Sequence, residues 1–307
     1  MKPIHRLAWC LLAVAGPAAA QSNVTVYGKV DLGLRKSLGA DDVVLATSGD
    51  SRLGFRGVED LGGGLQAFFG MEHRFLADTG QQDGSQFFKG YSHLGLQGSF
   101  GRFGMGRQYV AAFSLAQHPF DPFEGDTVAA VRDVAMRVGG ITKVRVDSSL
   151  RYDITLSSVT VAASLGDSTT NGGEHRPVSL AARYRDSNLT LAAGFENPAG
   201  EKDKQWNLGA AYKLAGNTLS AGLARGTTNA GLSAQGWMLG LNAPVGPGDF
   251  KLAYGTQKVD GVTTAQKVGV GYDYPLSKRT LIYADAGHDS KRSSHKTGYD
   301  LGLRHEF

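Results

Sequence analysis

The sequence predicts an all-β fold: an antiparallel transmembrane β-barrel of about sixteen strands over residues 21–307, behind an export signal at 1–20. Three observations carry that prediction. Apolar and polar residues alternate with a period of two from Val24 to Phe307, the pattern of strands with two unlike faces. The less oily face carries too many arginines for a dry core. Short turn-like connectors alternate with longer polar ones, as in outer-membrane barrels.

Taken in order, Met1–Ala20 reads as a cleaved secretory signal. Lys2, His5 and Arg6 make its basic start, Leu7 to Val14 its apolar run, and Ala18 to Ala20 its cleavage site. The run falls short of the roughly 20 residues that a transmembrane helix needs. Cys10, the one cysteine, leaves with the signal, so disulfides play no part. The 43 glycines and 9 prolines lack the three-residue period of collagen. A mean hydropathy of −0.20, with no long apolar run after the signal, excludes a helical membrane protein. The basic residues are scattered over a formal net charge of +4 and leave no nucleic-acid footprint.

The first strand alternates Val24, Val26, Val30, Leu32 and Leu34 with Thr25, Tyr27, Lys29 and Asp31. A polar loop over 39–50 leads to a hairpin, Ser51 to Phe75, turning at Asp60 to Gly64, where glycines accept the positive φ of a tight turn. Leu53, Phe55 and Val58 share one face of its first strand; Arg52, Gly54 and Arg56 share the other. On its second strand Leu65, Ala67, Phe69, Met71, His73 and Phe75 oppose Gln66, Phe68, Gly70, Glu72 and Arg74. A loop over 77–85 opens into a strand with Phe88, Leu94 and Leu96 on one side and Lys89, Tyr91, His93 and Gln97 on the other. After a turn at Ser99 to Gly101 the chain returns to Gln108. The rhythm then breaks from Val110 to Val146, and so long a connection is usually functional.

Alternation resumes at Leu150, Tyr152 and Ile154 and repeats to Tyr299, Leu301, Leu303, His305 and Phe307. Short connectors at 185–188, 215–217, 244–248 and 275–278 alternate with longer ones at 166–176, 197–204, 226–235, 259–265 and 289–295. Trp206, Tyr212, Tyr272 and Tyr274 stand near strand ends, where amphipathic rings suit the lipid–water boundary. Arg52, Arg56, Arg74, Lys89, Arg151, Arg183, Lys251 and Arg304 all fall on the other face. A water-filled lumen keeps them hydrated, and closure removes unpaired edges from the bilayer. A soluble two-sheet sandwich would also hydrate them, but the signal, the loop alternation and the apolar last strand argue against it.

The segments VTVYGKVDLGL, SRLGFRGVEDLGGGLQAFF, LGLQGSFGRFGMGRQY, DPFEG, LSKRTLIYADAG and GLRHEF, in this order, resemble the general diffusion porins of β-proteobacteria. The resemblance implies a sixteen-stranded barrel, assembled as a homotrimer among the lipids and lipopolysaccharide of the Gram-negative outer membrane. It implies a third loop folded into the lumen, and matches it to Val110–Val146. Asp121, Glu124 and Asp126 are then the acidic side of a constriction. Arg52 and Arg56 match its basic wall, with Arg74 and Lys89 nearby by parity. Phe307 resembles the signal read by the barrel-assembly machinery. The chain departs from the family in its short outer loops and in Tyr91, where some relatives carry a further wall arginine. The expected role is a passive channel for small hydrophilic solutes and ions, with a weak anion preference.

An enzyme is the weaker alternative. Gly49-Asp50-Ser51 lacks the glycines of a serine-protease fragment, and His288-Asp289-Ser290 is mere adjacency in sequence. The histidines show no metal-ligand spacing and the glycine-rich turns open no helix, so no catalytic residue, metal or cofactor is expected. A substrate-specific channel or an adhesin on the same barrel is the stronger rival. An adhesin would carry larger outer loops than these.

Overall fold

In a computed structural model, which describes residues 23–307, seventeen strand segments form one antiparallel sheet. The expected signal, Met1–Ala20, lies outside the described residues. The segments are β1 (Asn23–Lys36), β2 (Val44–Ala46), β3 (Ser51–Gly62), β4 (Leu65–Phe75), β5 (Tyr91–Gly98) and β6 (Gly101–Tyr109). After the third loop come β7 (Arg145–Leu156), β8 (Val159–Gly166), β9 (Val178–Arg185), β10 (Leu189–Asn197), β11 (Lys204–Leu214) and β12 (Asn217–Thr227). The last are β13 (Ser233–Val245), β14 (Gly248–Val259), β15 (Val262–Pro275), β16 (Thr280–Asp289) and β17 (Thr297–Glu306).

The sheet closes where β17 pairs with β1, from Lys29 opposite Glu306 to Lys36 opposite Tyr299. β1 is shared. Its outer half pairs with β2 and its inner half with β3, so β2 and β3 lie along one line and the barrel has sixteen wall strands. The expected loop over 39–50 thus contains a piece of wall. The line is broken by side chains that replace the ladder. Asp31 accepts from Ser48 N at 3.0 Å, and the Ser51 hydroxyl bonds both the N–H and the C=O of Asp31. Phe307 continues the seam below, exchanging two 3.1 Å backbone bonds with Gly28.

The faces follow the alternation. Leu208, Leu223 and Leu239 are each more than half exposed, in a continuous apolar band around the outside. A water-soluble monomer rarely shows so large a patch, whereas lipid covers it. Val58 departs from its expected side. It sits opposite Phe68, an inward ring stacked under Arg102, because Gly57 rather than Val58 continues the run from Phe55. β5 begins at Tyr91, so Phe88 and Lys89 precede the wall. The outer connection expected over 259–265 shrinks to Asp260–Gly261, since β14 and β15 run on to meet there.

The packed core lies between loop and wall. The segment 110–144 enters the lumen and folds into short helical turns at Phe113–Gln117, His118–Phe120, Arg132–Ala135 and Val138–Gly140. Its buried Ala116, Phe120, Phe123, Ala129, Val131 and Met136 pack on Ala192, Met238 and Ala253 of the inner wall. Glycines in the wall make room. A methyl group at Gly209 would overlap the Phe120 ring, at Gly222 the Met136 side chain, and at Gly269 the Ala129 carbonyl.

Candidate functional site

A loop inside a barrel must satisfy its own backbone, because few of its N–H and C=O groups sit in regular structure. Here the wall does it. Ser164 and Ser179 accept from the N–H groups of Ala111 and Ala112 at 3.2 and 2.8 Å. Gln205 accepts from Val138 N at 3.0 Å, Gln257 from Gly139 N at 2.7 Å and Glu196 from Lys143 N at 2.6 Å. Gln205 and Asn207 both donate to the Met136 carbonyl, and Lys267 donates to that of Ala130. These bonds, with one from Val128 N to Asp300 of β17 at 3.1 Å, hold the loop against the β8–β17 side of the lumen.

The loop's charged turn is built by two residues. Asp121 is buried, and its carboxylate accepts from Phe123 N at 2.9 Å, Val131 N at 2.8 Å and Arg132 N at 2.6 Å. Arg132 donates to the carbonyls of Glu124 at 2.6 Å and Gly125 at 3.3 Å, and lies over the Phe113 ring. Glu124 adopts a left-handed φ of 55° and projects, exposed. Asp121 therefore is not a lumen-facing acid, as expected from its neighbours in sequence. Its acceptor oxygens were needed inside the turn. Glu124 and Asp126 do reach the lumen.

Between them and the wall lies a cavity of about 360 Å³, lined by Glu124, Asp126 and Arg132 of the loop and by Asp50, Arg52, Arg74, Tyr109 and Arg145 opposite. Arg74 is locked between Glu72 at 2.7 Å and Asp50 at 2.8 Å. Arg52 stands freer, 4.0 Å from Glu72. Arg145 lies over the Tyr109 ring, 4.2 Å from its centroid, and donates to its hydroxyl. The loop side thus carries Glu124 and Asp126 around Arg132, and the wall side Arg52, Arg74 and Arg145 around Asp50 and Glu72; opposed charges of this kind orient polar solutes where the walls are of low dielectric.

Of the expected wall bases, Arg52 and Arg74 line this cavity. Arg56 does not. It lies four residues further down β3, about 13 Å away at strand spacing, over the Tyr27 ring in the inner lumen. Lys89 is off the wall altogether, paired with Asp83 at 2.7 Å in the second outer loop, because β5 starts two residues later. Sequence reasoning missed Arg132, Arg145, Asp50 and Tyr109. Arg145 and Tyr109 flank the loop's two ends, a signal available in the sequence. Asp50 was set aside with the Gly49-Asp50-Ser51 triplet.

Titration of the loop groups follows their surroundings. Burial, then the neighbouring Asp50 carboxylate, pushes the Asp126 carboxyl above the usual range. Burial, then the Arg132 charge, holds His118 below the usual imidazole range.

Comparison with known proteins gives a consistent result. The profile of the Gram-negative porin family matches residues 8–294. Outer membrane porin protein 32 of Delftia acidovorans is 28% identical over 98% of this chain and 99% of its own. An outer membrane porin protein of Bordetella pertussis is 29% identical over the whole of both. Among solved structures, an anion-selective porin from Comamonas acidovorans superposes with a TM-score of 0.79 at 26% identity, covering 94% of this chain and all of its own. The trimer form of OmpT from Vibrio cholerae shares the fold, with a TM-score of 0.75 at 16% identity over 93% of this chain and 99% of its own.

Proposed function

We propose the working of this chain from the premise that it belongs to the Gram-negative porin family: it is an outer-membrane channel through which small hydrophilic solutes and ions diffuse passively. The loop narrows the lumen, and the charged cavity is where a solute must shed part of its freedom. Polar solutes align their dipoles across the cavity, between Glu124 and Asp126 on the loop and Arg52, Arg74 and Arg145 on the wall. Apolar solutes gain nothing there, and they lose water's favourable contacts with the charged walls.

The preference is weakly for anions. One observation carries this: the balance of unpaired charge in the lumen. Arg56, Arg102, Arg145 and Arg183 have no carboxylate within 4.0 Å among the described residues; Lys29 and Lys267 have none either, but they are buried and contribute less. Further wall bases are paired, Arg151 with Asp153, Lys251 with Asp273 and Arg304 with Asp31. On the lumen face, Glu124 and Asp249 have no base within 4.0 Å among the described residues and Asp126 lies 4.0 Å from Arg132. Glu196 and Asp285 are buried beneath the loop and contribute less there. The anion-selective relative supports the same sign.

The chain works without cofactor or catalysis on this reading, and its relatives are channels. A homotrimer fits the trimer form of its structural neighbour. Met1–Ala20 serves export, Phe307 serves recognition by the barrel-assembly machinery, and the apolar belt sits among outer-membrane lipid and lipopolysaccharide. Planar-bilayer recording under a salt gradient tests the proposal. Large ohmic steps with a reversal potential favouring anions are expected. A folded barrel without steps removes the channel reading, and a potential favouring cations removes the anion preference alone.

A further inference from the structure

We infer that a niche at the inner mouth of the barrel, beneath the third loop, binds phosphate or a small phosphate monoester, a reading that rests on the channel proposed above. The niche has a volume of about 180 Å³. Arg183 and Arg185 of β9, Thr190 of β10, Lys213 of β11 and Thr218 of β12 line it, and Pro119 of the third loop roofs it. By strand alternation these wall residues face the lumen, because Tyr184, Tyr212 and Leu219 beside them stand exposed on the lipid side.

The depth of the niche is decided by the connections. β9 joins β10 through 186–188, at the end of the barrel away from Tyr109 and Arg145, where the third loop is attached. Arg185 stands opposite Thr190, Thr190 opposite Ala211, and Lys213 opposite Thr218. Arg183 and Arg185 lie two residues apart on one face, about 7 Å, and Lys213 lies two strands away, about 10 Å across the sheet. The His118–Phe120 turn carries the roof, and its Phe120 ring packs over Gly209 of β11. The niche is therefore closed towards the constriction and open towards the inner vestibule.

The chemistry of the lining selects the occupant. Arg183, Arg185 and Lys213 have no carboxylate within ion-pairing distance among the described residues. Asp186 lies on the rim, but its own turn occupies it. Its carboxylate accepts from the Tyr184 hydroxyl at 2.9 Å, Asn188 N at 2.8 Å and Leu189 N at 2.7 Å. Low-dielectric walls and a roof concentrate the field of bases that open water would screen. Guanidinium forks stand on one side, an ammonium on the other, and the hydroxyls of Thr190 and Thr218 between them. Donors so spread call for a compact dianion with oxygens in more than one plane, which a phosphate group supplies. A carboxylate offers two oxygens in one plane, and a dicarboxylate divides its charges along a chain. Sites for drug-sized ligands start near roughly 300 Å³, so a monoester with a short tail fits and a nucleotide does not.

The folded barrel in neutral detergent is titrated calorimetrically with phosphate, glycerol phosphate and succinate at constant pH and ionic strength. Saturable uptake of one phosphate per chain is expected, with glycerol phosphate competing for it and succinate binding about tenfold or more weakly. R183Q/R185Q should weaken phosphate about tenfold or more, since the charge-assisted bonds of both forks are lost, and K213Q should weaken it as well. K278Q/R279Q removes two bases from another turn at the same end of the barrel and should bind as the parent does. Succinate bound as tightly as phosphate overturns the inference, a result obtained on the unaltered protein whatever the variants do. Absence of saturable uptake, or unchanged binding in R183Q/R185Q, overturns it too. An equal loss in K278Q/R279Q reduces the niche to diffuse charge at the mouth and overturns it likewise. Conductance is recorded on the same samples in potassium chloride without phosphate. Normal steps from a barrel that takes up no phosphate remove the niche and leave the channel standing, whereas absent steps remove the channel on which it rests.

Discussion

Replacing Asp121 with alanine removes an acceptor that holds three backbone N–H groups, those of Phe123, Val131 and Arg132. Hydrogen bonds to a charged group contribute about 1.5–3 kcal/mol each, and buried donors left without a partner cost about 1–3 kcal/mol. The three share one carboxylate and are not additive, so the loss to the docked turn is roughly 3–6 kcal/mol. The barrel should survive, because its ladder is untouched. The loop's two ends stay held by Ser179 and Glu196. The middle of the loop should loosen. Single-channel recording of D121A should then show larger steps with a noisier open level. The contrast is E124Q, which removes a lumen charge without touching the turn. At about 8 Å in water one charge acts on a passing ion with roughly 0.5 kcal/mol, about a twofold change in the ion ratio. E124Q should therefore keep a quiet current and shift the reversal potential towards anions. A D121A channel with a quiet current and a reversal shift equal to that of E124Q would refute the reasoning and return Asp121 to the pore lining.

Three further outcomes follow from the same geometry. G269V suits a strand but drives side-chain atoms into the Ala129 carbonyl, a backbone atom that cannot swing aside; overpacking of about 1–3 kcal/mol should displace the loop, read as altered step size and faster protease cleavage within 110–144. R304A leaves the fully buried Asp31 without its cation at 2.9 Å; breaking such a pair costs about 3–5 kcal/mol, so the heat-modifiable gel transition should fall, and an unchanged transition would show that Ser48 and Tyr283 suffice to hold Asp31. Acidification should strengthen the anion preference: Asp126, its carboxyl raised by burial and then Asp50, takes up its proton before ordinary carboxylates as pH falls, while His118, held low, gains its charge only well below the usual imidazole range. D126N should remove the first part of that pH dependence, and a reversal potential flat in both proteins from pH 7 to 5 would count against the placement of Asp126. For stability the signs oppose. The raised Asp126 favours the docked loop as pH falls from its folded value towards the ordinary carboxylate range. The depressed His118 disfavours it once pH drops below the unfolded imidazole range.

The wall was legible because a strand writes its two environments into alternate residues. Leu65, Ala67, Phe69 and Met71 could only face lipid if Glu72 and Arg74 faced inward, and they do. The interrupted rhythm after Tyr109 marked the third loop for the same reason, by the absence of a period. What failed was local. Lys89 was placed on the wall by extending parity two residues beyond the true start of β5, and parity says nothing of where a strand begins. Asp121 was grouped with Glu124 and Asp126 because all three are acids in one short stretch. Which of them meets water depends on the path of the turn, and that path is set by Arg132 eleven residues later.

By itself, then, the sequence determined the barrel, its facing and the segment that narrows it, since each of these is a property of neighbouring residues read in order. Only the tertiary structure decided which charges line the cavity beside the loop. Asp50, Arg52, Arg74, Glu124, Asp126 and Arg145 come from four separate stretches of chain, and they meet because closure of the barrel and docking of the loop bring those stretches across one water column. The glycines that admit the loop show the same division. Gly209, Gly222 and Gly269 look ordinary in a glycine-rich strand pattern, and their purpose exists only once Phe120, Met136 and Ala129 lie against them. Contacts between distant segments carry no period, so nothing in the order of residues announces them.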